Sequence, residues 1–370
     1  MQIEQVELTE IRMPLNFRFE TSFGATQERR ILLLRLRTDQ GEGVAECVAP
    51  ESAGYCEETI DTAWAVLPTL ILPAVLGKRF ANATALVGAL APIRGHRMAK
   101  AALECAFWEA FARARNLPLW QVLGGVYSQV PVGISLGLQP STEALLSQVE
   151  AAVAQGYRRI KLKIKPGHDL AIVAAVRACF PEIVLSVDAN SAYRLSDITT
   201  LQKLDEYDLA YIEQPLAHDD LHDHALLQAR LATPICLDES IGSPADARKA
   251  LATQAAHVIN IKLGRVGGLL RARQVHDVAE AFSAPVWCGG RLESGVGRAF
   301  NLALASLPNF TMPGDTASAS RYWRRDIVHE ALEAKDGLMD VPQGPGSGVT
   351  VDWEYVDTLT ARKECYQAGE

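Results

Sequence analysis

No uninterrupted apolar run in this sequence approaches the ~20 residues that a membrane-spanning helix requires. Met1-Gln2-Ile3-Glu4 offers no basic stretch leading into an apolar one, so no secretory leader is expected. Positive charge is not in excess either, and a formal net charge of -8 argues against nucleic acid as the partner. The seven cysteines form no C-x-x-C pair and no compact disulfide framework. Cys105, Cys236 and Cys288 sit inside apolar runs, which reads as reduced core thiols of a cytoplasmic protein.

What is present is a globular composition: 370 residues, 48% apolar and 22% charged, enough for a large domain plus a smaller one. Five ionisable residues organise it. Lys163, Asp188, Glu213, Asp238 and Lys262 recur about every 25 residues, and each closes a short apolar run rich in Ile, Val and Leu. A run of that kind reads as a buried strand, and the spacing leaves room for one helix and two loops. Strands entered from the same side must be parallel, so the five groups converge on one mouth. Three carboxylates crowded together would repel one another, and a hard divalent cation resolves this while leaving coordination sites for a substrate.

Taken in order, strand patterns at 3–12, 31–38 and 44–48 predict an antiparallel meander, with an irregular stretch after Pro14. Residues 98–115 form the clearest helix. A first barrel strand is expected over 130–136, then a helix over 141–156. Beyond Lys262, a helix over 269–282, a strand at 284–288 and a helix at 298–305 precede an eighth strand at 310–312. The expectation is an α/β protein, a modified TIM barrel of (β/α)7β type with an α+β capping domain. The cap covers 1–127, the barrel 128–322, and residues 323–370 return to the cap. An open solenoid would have a similar period, but these repeats share no consensus beyond the charged residue at each strand end.

Taken singly, an acid after a strand is more often a cap or a loop residue. Three acids in phase with two lysines are not explained that way. Lys161 and Lys163 share one side of their strand by alternation, the inward side in a barrel, where an ammonium needs an anion. Asn190 and Glu239 read equally well as caps and as partners that orient ligands or lysines. Gly289, Gly290, Gly295 and Gly297 are either turn glycines or positions where backbone N–H groups approach a substrate anion. His218, His222 and His224, interleaved with Asp219, Asp220 and Asp223, read as a solvated loop, not a metal cluster.

The motifs Lys161-Leu162-Lys163, Val187-Asp188-Ala189-Asn190, Ile212-Glu213-Gln214-Pro215, Leu237-Asp238-Glu239-Ser240 and Asn260-Ile261-Lys262-Leu263-Gly264-Arg265 resemble the enolase superfamily, in its muconate-lactonizing-enzyme-like subgroup. Thr21-Ser22-Phe23-Gly24, Gly95-His96-Arg97-Met98-Ala99-Lys100 and Pro313-Gly314-Asp315-Thr316 are similar to its o-succinylbenzoate synthase / N-succinylamino acid racemase family. The resemblance covers nearly the whole chain. It implies Mg2+, with Mn2+ as a substitute, on Asp188, Glu213 and Asp238. Lys163 and Lys262 would flank the substrate, supported by Lys161, Asn190 and Glu239. Phe19, Phe23, Tyr55, Ser135, Gly289, Gly290, Arg291 and Asp315 would contact a small-molecule carboxylate.

The implied chemistry removes a proton next to a carboxylate to give an enediolate, a pattern already described for this superfamily with a Lys or His base and one or two Mg2+ ions. Lys161 and the cation would lower the pKa of Lys163 enough to make it a base. Dehydration or racemisation follows, with another cycloisomerase or a dipeptide epimerase as the rival within the class. A Schiff-base aldolase and a barrel-borne binding module are the rivals outside it. Further copies of the chain are the expected macromolecular partner. Two departures bear on substrate choice: the 51–58 loop keeps Tyr55 but little else of the family's segment, and Arg291 stands where the family carries an apolar residue. Its guanidinium could bind an extra carboxylate or pair with Glu293.

Overall fold

The structure, a computed structural model, describes residues 1–21 and 24–369. The chain opens on strands β1 (Ile3–Thr21), β2 (Gly24–Thr38) and β3 (Gly41–Cys47), an antiparallel meander as the alternation predicts. Both hairpin arms outrun the expectation. Pro14 pairs with Glu28 inside the ladder, so the stretch read as irregular belongs to the strand. Ile11, Met13 and Leu15 are buried while Arg12, Pro14 and Asn16 are exposed, so one face carries the core.

Helix Arg97–Ala114 packs across this sheet. A Cβ on Gly43 would collide with the Ala106 carbonyl oxygen and lie 2.6 Å from the Ala110 nitrogen, so only glycine lets sheet and helix come this close. The first N–H groups of the helix are taken by buried Glu58, at 2.9 Å from Met98 N and 3.2 Å from Ala99 N.

The expected strand 130–136 is split. β4 (Gln129–Pro131) pairs antiparallel with a later strand, and β5 (Ile134–Leu136) alone joins the barrel. The break falls at Gly133, where a Cβ would lie 2.7 Å from Arg159 Nε. Parallel strands follow: β6 (Ile160–Lys163), β7 (Leu185–Asp188), β8 (Ile212–Glu213), β9 (Ile235–Leu237), β10 (Val258–Ile261) and β11 (Val286–Cys288). The seven from β5 to β11 form one sheet in sequence order, with helices between successive strands. They read as continuous apolar runs because both faces are covered.

The expected eighth strand at 310–312 does not form. Pro313 has no N–H to give a ladder, so the ring closes through irregular backbone. Met312 N and Asp315 N reach the carbonyls of Val286 and Cys288 on one side, while Gly314 N and Gly133 N exchange bonds with Pro131 O and Gly314 O on the other. A Cβ on Gly314 would lie 2.9 Å from Cys288 O.

β12 (Leu338–Asp340) pairs with β4, and β13 (Thr360–Gln367) pairs with β1, giving the outer sheet the order β13-β1-β2-β3. Arg362 on β13 reaches Glu10 at 2.7 Å and Asp61 at 3.0 Å, and Arg30 bonds the same two acids. All seven cysteines are free. Among the described residues no helix is long and apolar enough to cross a membrane.

Candidate active site

Register brings the strand ends together. Lys163 sits opposite Asp188, and Asp188 opposite Glu213, in adjacent parallel pairs. Lys262 follows the end of β10, four strands from β6, so the two lysines approach from opposite walls. Both line a cavity of about 420 Å³, together with Lys161, Asp188 and Asn190.

The lysines rest on the carboxylates. Lys163 Nζ donates to Asp188 Oδ2 at 2.5 Å and to Asn190 Oδ1 at 2.7 Å, while Lys262 Nζ donates to Asp238 Oδ2 at 2.6 Å. Burial alone would raise Asp188, but the Lys163 and Lys161 ammonium groups hold its carboxyl below the usual range. Burial works against the Lys262 ammonium too. Tyr55, Glu213 and Glu239 outweigh it and raise its pKa.

Lys161 is buried and held at both sides, 2.8 Å from Glu213 Oε2 and 2.7 Å from Asp315 Oδ2, and its Nζ lies 4.5 Å from the Trp287 ring centroid. Its tie to Lys163 runs through Asp188, 3.8 Å away. Arg159 holds the other oxygen of Asp315 at 2.5 Å and lies over the same Trp287 ring. Both Asp315 oxygens are thus taken by the protein's own cations, which keep its pKa low against the pull of burial. Asn190, which accepts from Lys163, in turn donates to Glu239 Oε1 at 3.0 Å, so hydrogen bonds link the three in a row. Burial and the Asp188 charge raise the Glu239 pKa, and its Oε2 is buried without a partner.

Asp188, Glu213 and Asp238 suit a hard divalent cation chemically: all three are buried, and Glu239 Oε2 is an oxygen in want of a partner beside them. In this arrangement ammonium groups occupy all three, Lys163 on Asp188, Lys161 on Glu213 and Lys262 on Asp238. Among the described residues, the trio with one donor apiece within 4.8 Å of one another is His276, Asp277 and Glu280 on an outer helix. There His276 Nε2 accepts the Asn309 N–H and Nδ1 meets Asp277, which leaves no ring nitrogen for a metal.

Ser135, opposite Lys161 on the neighbouring strand, lines the cavity with a buried, unpartnered Oγ. Tyr55, Gly290, Arg291 and Asp315 line it as well. Phe23 lies outside the described residues, as does the side chain of Phe19. Three of the four glycines give their N–H groups to the protein itself. Gly289 gives its N–H to Ile261 O at 3.1 Å, and a Cβ there would strike the Asn260 amide and lie 2.7 Å from Lys262 Cε. Gly295 and Gly297 give theirs to Asp326 and to Glu46, a cap carboxylate. His224, expected in a solvated loop, is fully buried with Nε2 accepting the Leu216 N–H, while His218 and His222 are exposed.

Sequence reasoning missed three supports. Arg265 pairs with Asp238, Tyr55 donates to the same oxygen at 2.8 Å, and Asn260 Nδ2 holds Glu213 Oε1 at 2.8 Å. A polar Asn260 inside the apolar β10 was the available signal. Arg159, two places before Lys161 on the same strand face, was another.

Residues 3–124 match the family described as Mandelate racemase / muconate lactonizing enzyme, N-terminal domain, and residues 144–356 match Enolase C-terminal domain-like. The chain is 55% identical over 360 residues to N-succinylamino acid racemase of Thermus thermophilus, covering 97% of this chain and 98% of that protein. It is 48% identical over 361 residues to o-succinylbenzoate synthase of Geobacillus kaustophilus, covering 97% and 96%. A solved enolase-superfamily member from Listeria innocua superposes with a TM-score of 0.97 at 38% identity, covering 100% of both chains.

Proposed function

Because the chain is an enzyme belonging to the enolase superfamily, in the mandelate racemase and muconate lactonizing branch, we propose that it removes the proton next to a substrate carboxylate and forms an enediolate. Dehydration then gives the o-succinylbenzoate synthase reaction, and delivery of a proton to the opposite face gives N-acyl- or N-succinylamino acid racemisation. One observation carries this reading: two lysines four strands apart flank one cavity, with three carboxylates between them. A substrate seated there presents its α-hydrogen to Lys163 in one enantiomer and to Lys262 in the other. Whichever amine takes the proton, the opposed ammonium delivers one of its own to the other face. In dehydration a protonated lysine instead gives its proton to the departing β-hydroxyl, which leaves as water.

Asp188, Glu213 and Asp238 would hold Mg2+, or Mn2+ in its place, which would offset the charge of the enediolate oxygens. Lys161, fixed by Glu213 and Asp315, keeps positive charge beside that carboxylate group without leaving its place. Asn190 and Glu239 orient Lys163. Ser135 Oγ, buried and unpartnered, is positioned to bond the substrate. In this reading residues 1–127 cap the barrel of residues 128–322, residues 323–370 return to the cap, and the chain works in the cytoplasm as a homo-oligomer.

Dipeptide epimerisation is the weaker reading, since an acid that binds a substrate ammonium is needed and Asp315 is engaged by Lys161 and Arg159. The deciding assay follows α-deuterium uptake and optical rotation of N-acylamino acids in D2O with Mg2+, beside dehydration of the synthase's β-hydroxy acid. An enzyme inert in both would overturn the proposal.

A further inference from the structure

Six cationic side chains line the active-site cavity: Arg29, Lys161, Lys163, Lys262, Arg291 and Arg298. Five of them are held by the protein's own acceptors. Arg29 meets Glu51 and three carbonyls, Lys161 meets Glu213 and Asp315, and Lys163 meets Asp188. Lys262 meets Asp238, and Arg298 is pinned to the carbonyls of Ala317 and Ser318. Arg291 differs. Among the described residues its guanidinium has no carboxylate or carbonyl partner, and its Nε is buried without one.

Glu293, the neighbour that could have neutralised it, is turned elsewhere: its Oε1 accepts the Arg291 backbone N–H at 2.8 Å. The guanidinium sits instead over the Tyr55 ring, 3.8 Å from the centroid. That ring is anchored, because Tyr55 donates to Asp238 and accepts from Arg265. Lys262 Nζ lies 4.9 Å from the same ring. Arg291 is therefore preorganised on the Lys262 wall, and its planar fork suits a bidentate carboxylate. A partly buried cation without a counter-charge is costly, and an anionic ligand removes that cost.

We propose that Arg291 binds a second carboxylate of the substrate, on the Lys262 side of the reacting carbon, and so selects dicarboxylic N-acylamino acids. This rests on the proton-transfer reading of the cavity. The second carboxylate has two sources, the acyl group or the amino-acid side chain. The experiment compares N-acetyl-methionine, N-succinyl-methionine and N-acetyl-glutamate with wild type, Arg291→Met and Arg291→Lys.

In Arg291→Met, the ratio of kcat/KM for the dicarboxylate to that for N-acetyl-methionine falls about tenfold or more, mainly through KM. The substrate whose ratio falls identifies the source. Arg291→Lys, a point charge without the fork, recovers part of the loss. Ratios unchanged for both dicarboxylates overturn the proposal, as does an equal loss for all three substrates, which would make Arg291 a prop for its loop. If wild type turns over none of them, the racemisation half of the proposed function fails instead, and dehydration stands or falls by its own assay. Calorimetric titration of N-succinyl-methionine and N-acetyl-glutamate then decides: at least one must bind wild type about tenfold tighter than Arg291→Met, and equal or absent binding of both overturns the inference.

Discussion

Lys163 and Lys262 stand on opposite walls, so each faces a different side of any carbon acid between them. In D2O, Lys163→Ala and Lys262→Ala should each exchange the α-hydrogen of a different enantiomer of an N-acylamino acid, with racemisation lost in both. A single variant that freely exchanges both enantiomers would refute the opposed arrangement. Gly289→Ala should be severe although it removes no charged group. Its Cβ would displace the Asn260 amide and Lys262 Cε, costing about 1–3 kcal/mol of stability and most of the turnover. Normal melting with full activity would show that the loop yields. The charged residues at strand ends were legible because the spacing fixed their phase. Partners that depend on which rotamer meets which, such as Arg265 on Asp238, were not, since they join residues by packing across loops.

Two barrel helices begin on carboxylates that the cap supplies. Glu46, from β3, accepts the Ser294 hydroxyl at 2.6 Å and the N–H groups of Ser294 and Gly297 at the start of helix Gly295–Ala305. Glu104, from helix Arg97–Ala114, accepts Leu269 N at 2.8 Å and Leu270 N at 2.9 Å at the start of helix Leu269–Ala281. Burial pushes the Glu46 carboxyl up to about 8 and Glu104 to about 7, from an ordinary 4.5. The amides, hydroxyl and Arg29 pull downward, and Glu293 pushes Glu46 further up.

Because both folded values are raised, their stabilising contribution is full below about pH 4.5 and is lost as pH rises through 7 and 8. Wild type should therefore lose more stability between pH 5 and 9 than Glu46→Gln or Glu104→Gln, by on the order of a few kcal/mol. Melting midpoints across that range measure it, and parallel curves would refute it. Helix periodicity placed Arg97–Ala114 and Leu269–Ala281 almost to the residue. It placed the ring's last segment wrongly, because an apolar triplet at 310–312 looks like a strand until Pro313 and the close approach at Gly314 are weighed.

Across the whole molecule the resemblance and the strand-end pattern agreed on the architecture, but β13 was not legible as a strand. Its eight residues lie on the outer edge of β1 and are mostly exposed, so they show little of the alternation that a half-buried strand writes into a sequence. Activity should require a divalent cation: chelation should abolish turnover, and Mg2+ or Mn2+ should restore it. Full turnover in excess EDTA would exclude Asp188, Glu213 and Asp238 as an essential metal site. The Glu46 and Glu104 contacts also limit how relatives can be recombined. A chimaera joining the cap of one relative to the barrel of another must transplant each carboxylate with its matching seat. Glu46 needs glycine at 297, where a Cβ would lie 3.0 Å from its oxygen, and Glu104 needs glycine at 268, where a Cβ would lie 2.8 Å from its carboxyl carbon. A seam drawn at residue 124 cuts no secondary-structure element, yet it separates both pairs.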